Sequence, residues 1–158
     1  MRVSVDLQID ENHDSGIHFE HSELSRYASL SLQKAGINDD EVELAIRIVN
    51  KEESRLLNKQ FRNKDNPTNV LSFCAELPQF VPINLLGDLV ICAEVVIEEA
   101  GEQNKSVTAH LCHMVVHGCL HLVGYDHINE SDAVEMEQLE VTIMEALGFP
   151  DPYSSNGS

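Results

Sequence analysis

The segment HGCLHLVGYDH, residues 117–127, determines most of what the sequence predicts about this chain. It holds three histidines, His117, His121 and His127, at the spacing H-x3-H-x5-H. On an α-helix, residues i and i+4 lie on one face, so the first two histidines can bind one ion. Gly124 allows a left-handed turn that brings the third histidine back towards them. Three neutral imidazoles suit Zn²⁺ and leave its fourth position open, so the segment predicts a site for one zinc ion per chain.

The same histidine spacing occurs in the zinc-peptidase motif HExxHxxGxxH, with one difference. Gly118 stands where such a peptidase has its catalytic Glu, the group that deprotonates water and protonates the leaving amine. A Gly at this position is expected to remove bulk beside the metal, so that a larger substrate group can approach. A zinc peptidase or amidase is therefore a less favoured hypothesis, and it requires a carboxylate from another segment.

Further polar residues lie close to the three histidines in sequence. His110 and His113 extend the row backwards along the predicted helix. His113 is predicted either to act beside the site, supporting a ligand or facing substrate, or to be a partly buried helix histidine. Asp126 either orients an imidazole or holds water, or it is an ordinary turn residue.

The four cysteines are Cys74, Cys92, Cys112 and Cys119, and none forms a CxxC pair. They are expected to be reduced, buried and small hydrophobic in character. Cys112 and Cys119 flank the histidines, so one of them is an alternative soft metal ligand. That alternative is disfavoured because three histidines already supply the usual protein ligands of a catalytic zinc site.

Composition predicts one globular domain with an acidic surface. The chain has 158 residues, a hydrophobic content of 42% and a net charge of −17. This charge argues against nonspecific binding of nucleic acid, and DNA is not an expected partner. No apolar run is long enough for a membrane span, and the opening MRVSVDLQIDENHD lacks the basic start and apolar core of a secretory signal. We therefore expect no membrane partner and a cytoplasmic location.

Hydrophobic periodicity predicts an α+β fold with a mixed four-stranded sheet and about five helices. Strands are predicted at residues 2–9, 42–49 and 70–77, helices at 20–35, 51–62, 106–123 and 130–147, and a strand that continues into a helix near Ala93 at 86–96. Residues 63–67 and 78–84 are expected to form a turn and a loop, and the tail 154–158 is expected to be flexible. The order of the strands in the sheet does not follow from this pattern.

Four segments of the chain, taken together, resemble the YbeY family of metal-dependent endoribonucleases. They are HGCLHLVGYDH, LNKQFRNKDNPTNVLSF (57–73), LLGDLVIC (85–92) and EMEQLEVTIMEALGFPDPY (135–153). The resemblance covers most of residues 57–153, whereas about the first 40 residues carry little of it beyond the opening strand. The chain departs from the family at Cys74, where Pro is common, and this change is expected to affect a strand end.

The resemblance implies a zincin-like fold for a single domain, residues 1–153, with a single-strand-specific endoribonuclease activity. It further implies maturation of the 3′ end of small-subunit (16S) rRNA, ribosome quality control, and contacts with the small ribosomal subunit, its proteins and an assembly GTPase. Carried over by position, His117, His121 and His127 are the zinc ligands, and Arg62 lies beside the metal.

The chemistry of Arg62 agrees with that assignment, because a guanidinium can bind a phosphate through two hydrogen bonds. The residue also lies in the one basic region of the chain, which contains Arg47, Lys51, Arg55, Lys59, Arg62 and Lys64. Arg55 and Lys59 either follow an RNA backbone or belong to a solvated helix face. The nucleophile, a water or the ribose 2′-OH, and the general base, with Asp126, His113 or a substrate group as candidates, stay open.

A non-enzymatic alternative is a ribosome-assembly factor whose metal is mainly structural. The acidic net charge fits this hypothesis in part, because a protein that repels bare RNA benefits from delivery by partner proteins.

Overall fold

The computed structural model describes residues 2–9, 19–75, 85–125 and 130–153. Within these ranges the chain forms four strands and five helices. They are β1 Arg2–Ile9, α1 His21–Lys34, β2 Glu41–Val49, α2 Lys51–Arg62, β3 Val70–Cys74, β4 Leu85–Cys92, α3 Ala93–Glu102, α4 Val107–Leu122 and α5 Glu130–Ala146. None of the described helices combines the length and the hydropathy that crossing a membrane requires.

The strands form one mixed sheet in the order β1-β2-β4-β3. β1, β2 and β4 are parallel, and β3 runs antiparallel to β4 at an edge of the sheet. This arrangement confirms the predicted α+β fold with a four-stranded sheet and five helices. The predicted strand at 70–77 ends at Cys74, and residues 76–77, the predicted loop at 78–84 and the predicted tail at 154–158 lie outside the described residues.

The main core lies between one face of the sheet and helices α1, α4 and α5. Alternate residues of β2 point into it, namely Val42, Leu44, Ile46 and Ile48. A smaller cluster of Val49, Leu71 and Val90 lies apart from this core, and it contacts Phe73 and, from α2, Leu57. Because side chains alternate along β3, Ser72 points towards α4, where its hydroxyl donates to the Gly118 carbonyl oxygen over 3.3 Å.

Helix α4 is the most buried helix of the described chain, and both of its ends are capped. The Ser106 side chain accepts a hydrogen bond from the Ala109 amide over 3.0 Å at the start. At the other end Gly124 has φ of 104°, and the Tyr125 amide donates to the Leu120 carbonyl oxygen over 3.0 Å. These are the contacts of a Schellman motif, so the predicted left-handed turn at Gly124 is confirmed.

Helix α2 ends at the residue that the sequence singled out in the basic region. Asn50 caps its start by accepting from the Glu53 amide over 2.9 Å. Asn63 has φ of 59° and stops the helix directly after Arg62. The following turn is tied back to the helix by the Asn58 side chain, which donates to the Asn66 carbonyl oxygen over 2.8 Å. The position of Arg62 is therefore set by the cap and by the turn that leads into β3.

We expect Gly87→Ala to destabilise the fold, because β4 passes too close to β3 for a side chain at this position. Gly87 has φ of 145°, and a Cβ there would lie 2.0 Å from the Phe73 carbonyl oxygen. Relief of that clash requires a backbone shift in the β3–β4 pair. The free energy of unfolding, measured by urea denaturation, should fall by about 2–4 kcal/mol.

Gly101→Ala is the matched control, since a Cβ at this helical glycine meets nothing within 4 Å. It should leave the free energy of unfolding unchanged or raise it by up to about 1 kcal/mol. Equal effects of the two substitutions would contradict the close approach at Gly87.

Candidate metal centre

A cleft of about 280 Å³ opens between α4, strand β3 and the end of α2. It is lined by Arg62, Asn69, Val70, Leu71, Ser72, Cys74, His117 and His121. Three of the four predicted site residues therefore share one cleft, although the arginine and the histidines come from distant parts of the chain. The fourth, His127, lies outside the described residues, as does Asp126.

The two histidines converge in a way that suits a metal ion. His117 and His121 are one turn apart on α4, and their Nε2 atoms lie 3.0 Å from each other. Two ligands of a tetrahedral zinc ion at about 2.0–2.1 Å are separated by about 3.4 Å. Two lone pairs this close repel unless a proton or a cation lies between them. The observed distance is thus close to that of a ligand pair, and these donors fit zinc.

Glu140, from the middle of α5, fixes the orientation of the first histidine. Its fully buried carboxylate lies 2.9 Å from His117 Nδ1. The carboxylate also accepts hydrogen bonds from His113 Nε2 and from the Tyr153 hydroxyl. Burial alone would raise the pKa of Glu140, but the hydrogen bonds from His113 and His117 outweigh burial and lower the pKa to about 2. An ionised carboxylate only accepts hydrogen bonds, so His117 carries its proton on Nδ1. Its Nε2 lone pair then faces His121, as metal binding requires.

Glu140 is not among the site residues predicted from the sequence, although the sequence contains a signal for it. The apolar residues of α5 that enter the core recur at helical spacing, at Met136, Ile143, Met144 and, just beyond the helix, Leu147. Glu140 occupies a position within this stripe, four residues after Met136. A carboxylate in an apolar stripe must have buried partners, because an isolated buried charge is too costly.

A second group of potential ligands lies deeper in the protein. His113, His117 and Glu140 each offer a ligand atom, and these atoms lie within 4.8 Å of one another. His113 and Glu140 are both buried, and the carboxylate already accepts hydrogen bonds from the two rings. A metal here would replace those hydrogen bonds, and it would lie away from Arg62, which does not contact this group. His113 is thus both a buried helix histidine and a neighbour of the site, which combines the two predicted alternatives.

His110 belongs to a separate polar contact that supports the cleft from behind. Its Nε2 lies 2.9 Å from a Glu99 carboxylate oxygen, which also accepts from the Asn69 side chain over 2.9 Å. Burial lowers the pKa of His110 despite this acidic neighbour. Asn69 precedes β3 directly, so the contact joins α3, α4 and the start of the edge strand.

Arg62 reaches the cleft around the edge of the sheet. Its Nη2 donates to the Ser72 carbonyl oxygen over 2.9 Å, and its guanidinium carbon lies 5.6 Å from the centre of the Phe73 ring. Among the described residues no carboxylate lies within 4.0 Å of Arg62. The guanidinium therefore keeps N–H groups for an anionic ligand in the cleft.

Four of the other five basic residues of this region differ from Arg62, because acidic side chains neutralise them. The pairs are Arg47 with Glu53 at 2.6 Å, Lys51 with Glu98, Arg55 with Asp65 at 2.6 Å and with Glu52 at 2.8 Å, and Lys59 with Asp65 at 3.8 Å. Of the two alternatives for Arg55 and Lys59, these pairs favour the solvated helix face over an RNA track.

Gly118 has a different role from the predicted one. It lies against the sheet, and a Cβ there would come within 2.7 Å of Leu89 Cδ2. The leucine side chain fills this space, so the prediction that Gly118 leaves room for a substrate group is wrong. The same contact leaves no room for the glutamate of a zinc peptidase at this position.

The cysteines do not join the histidines. Cys92, Cys112 and Cys119 are buried, and burial raises the pKa of the Cys119 thiol to about 12 and that of Cys112 as well. Neither Cys112 nor Cys119 lines the cleft, so the alternative of a cysteine ligand finds no support. Cys74 is the last residue of β3, and it is exposed and forms part of the cleft wall, so the prediction that the cysteines are buried is wrong for this one.

Comparisons with known proteins show the family to which the chain belongs. A model of the family "Endoribonuclease YbeY" matches residues 8–148. A protein of Colwellia psychrerythraea named Endoribonuclease YbeY is 58% identical over 115 residues, which are 73% of this chain and 74% of that protein. The solution structure of TM1509 from Thermotoga maritima is similar with a TM-score of 0.56, at 28% identity and over 99% of both chains. This chain therefore belongs to the YbeY family of endoribonucleases.

Proposed function

We propose that this chain is a zinc-dependent endoribonuclease that cleaves single-stranded RNA near the 3′ end of small-subunit rRNA. The observation that carries the proposal is the convergence of His117, His121 and Arg62 on one cleft. A ligand pair for a metal, next to an arginine that has no carboxylate partner among the described residues, suits a phosphodiester, which needs its negative charge stabilised. The family match supports RNA as the substrate.

The proposed ligands of the zinc ion are His117 and His121, with His127 as the third. This set is preferred to the buried set of His113, His117 and Glu140 because His117 and His121 line the same cleft as Arg62. A zinc ion bound there supplies a Lewis acid for a phosphoryl oxygen and lowers the pKa of a bound water.

The residues of the chain have separate tasks in this proposal. Arg62 binds a non-bridging oxygen of the scissile phosphate and stabilises the charge that develops on it. Glu140 is a positioning residue that holds the His117 ring through Nδ1. The described lining of the cleft contains no carboxylate, which counts against the alternative of a zinc peptidase or amidase.

The biological setting of the proposal follows from the charge of the chain. With a net charge of −17 and most of the basic region neutralised, the protein has little general attraction for RNA. We propose that the small ribosomal subunit, its proteins or an assembly GTPase bring the rRNA to the cleft, in the cytoplasm. The acidic net charge also fits a second hypothesis, in which the protein is an assembly factor and its metal is mainly structural.

We expect Arg62→Ala to lower kcat/KM for a labelled single-stranded RNA about 100- to 1,000-fold, since it removes one charge-stabilising donor. Arg55→Ala is the control, because Arg55 lies two turns earlier on α2 and is already paired with Glu52 and Asp65. It should change kcat/KM less than about twofold. Equal cleavage by both variants and the wild type would contradict the role of Arg62 and point to a contaminating ribonuclease.

His121→Ala should abolish RNA cleavage and lower the bound zinc content, measured by mass spectrometry, while the circular dichroism spectrum stays unchanged. The residue lies in the cleft and is only partly buried, so the fold should tolerate the change. A His121→Ala variant that binds no zinc, yet supports rRNA 3′-end maturation in cells, would favour the assembly-factor hypothesis.

We expect Glu140→Gln to weaken zinc binding about 10- to 100-fold, because the amide cannot accept from all three donors that face the carboxylate. Competition with a chromophoric chelator measures the affinity. Glu145→Gln is the control, as Glu145 is exposed on the same helix. Unchanged zinc affinity in a folded Glu140→Gln protein would show that the carboxylate does not orient His117.

A further inference from the structure

We infer that Phe61 is a stacking platform for an unpaired base of the RNA whose phosphate Arg62 binds. The inference rests on the proposed function and adds a base-binding subsite to it. Phe61 is the residue before Arg62 in the last turn of α2, and 51% of its surface is exposed. Phe61 does not line the cleft itself, and it lies at the rim of the cleft next to Arg62.

The Phe61 ring is held in place, although half of it is open to solvent. It packs edge-to-face on Phe73, with 5.0 Å between the ring centres and an angle of 69° between the planes. The same Phe73 ring lies beneath the Arg62 guanidinium at 5.6 Å. One partly buried aromatic residue of β3 thus supports both an exposed ring and a phosphate-binding cation.

The arrangement matches the two needs of a single-stranded nucleotide. Proteins bind such strands by combining cations for the backbone with aromatic rings on which unpaired bases stack. In a duplex the bases are already stacked and paired, so only an unpaired base can stack on the Phe61 ring. The ring therefore gives a physical reason for a preference for single strands.

The path from Phe61 to the histidines follows the outer edge of β3, the last strand in the order of the described sheet. β3 pairs only with β4 among the described strands, and its outer edge receives the Arg62 hydrogen bond at Ser72. A strand of RNA stacked on Phe61 would cross this edge at Arg62 and enter the cleft that contains His117 and His121.

Charge explains why stacking matters here. Because acidic partners neutralise Arg47, Arg55 and Lys59, few phosphate contacts are available to supply affinity. The apolar contribution of one base on Phe61 should then be a large part of binding. This contribution is independent of salt, whereas the Arg62 contribution is not.

The test uses the absence of tryptophan from the chain. Phe61→Trp introduces a single tryptophan at the proposed platform, and Leu56→Trp is the matched control, since Leu56 is 50% exposed on the same helix. Single-stranded RNA should quench the tryptophan fluorescence of the Phe61→Trp variant and leave that of the Leu56→Trp variant unchanged. Double-stranded RNA should quench neither variant. The inference would be overturned if single-stranded RNA quenched the fluorescence of both variants equally. It would also be overturned if the RNA bound the Phe61→Trp variant without quenching its fluorescence.

Affinities of zinc-loaded protein for single-stranded RNA, measured by stopped-flow anisotropy before cleavage, separate the two neighbouring residues. We expect Phe61→Ala to weaken binding about 5- to 100-fold without changing its salt dependence, and Phe61→Tyr to restore it. Arg62→Ala should reduce the slope of log affinity against log salt by about 0.7. Leu56→Ala should have no effect on affinity.

The outcomes distinguish failure of the inference from failure of the proposed function. If wild-type protein cleaves the RNA and Phe61→Ala binds it equally well, the platform is wrong and the nuclease proposal stands. If the wild type binds single-stranded RNA through Phe61 but does not cleave it, the platform stands and the nuclease proposal falls. If the wild type neither binds nor cleaves the RNA, both are overturned.

Discussion

The carboxylate of Glu140, buried between two histidine rings and a tyrosine hydroxyl, is the interaction on which the arrangement of the site depends. A buried charge of this kind is tolerated only with full hydrogen bonding. Those donors come from α4 and from the segment after α5, so both must pack around the carboxylate before it is satisfied. The direction of the His117 ring is therefore a result of helix packing.

The position of Arg62 in the cleft depends on the edge strand of the sheet. β3 is a short strand at the edge of the sheet, antiparallel to its neighbour β4. The Ser72 carbonyl oxygen of β3 accepts a hydrogen bond from the Arg62 side chain. An arginine from the opposite side of the sheet can reach the histidines only around such an edge. The capped end of α2 at Asn63 and the turn tied down by Asn58 hold it there.

Local patterns in the sequence predicted the elements well, and the contacts between them poorly. The bounds of α2, the turn at Gly124 and the facing pair His117 and His121 depend on residues within a few positions of one another. Glu140 could be suspected only as a carboxylate in an apolar stripe, because its partners lie on another helix. The strand order and the contact of Gly118 with Leu89 depend on how helices pack across the whole sheet, which a local pattern does not contain.

Gly118 affects both the packing of the core and the arrangement of the site. Its contact with Leu89 sets how closely α4 approaches the sheet, and Arg62 is bound to the same sheet through Ser72. A larger residue at this position would require either the Leu89 side chain to move or the helix to shift outward, and an outward shift would carry both histidines away from the arginine. The distance between the two histidines and Arg62 thus depends on the contact of the Gly118 backbone with Leu89 in the core. In an evolving lineage of such proteins, repacking of this part of the core would therefore also change the geometry of the site.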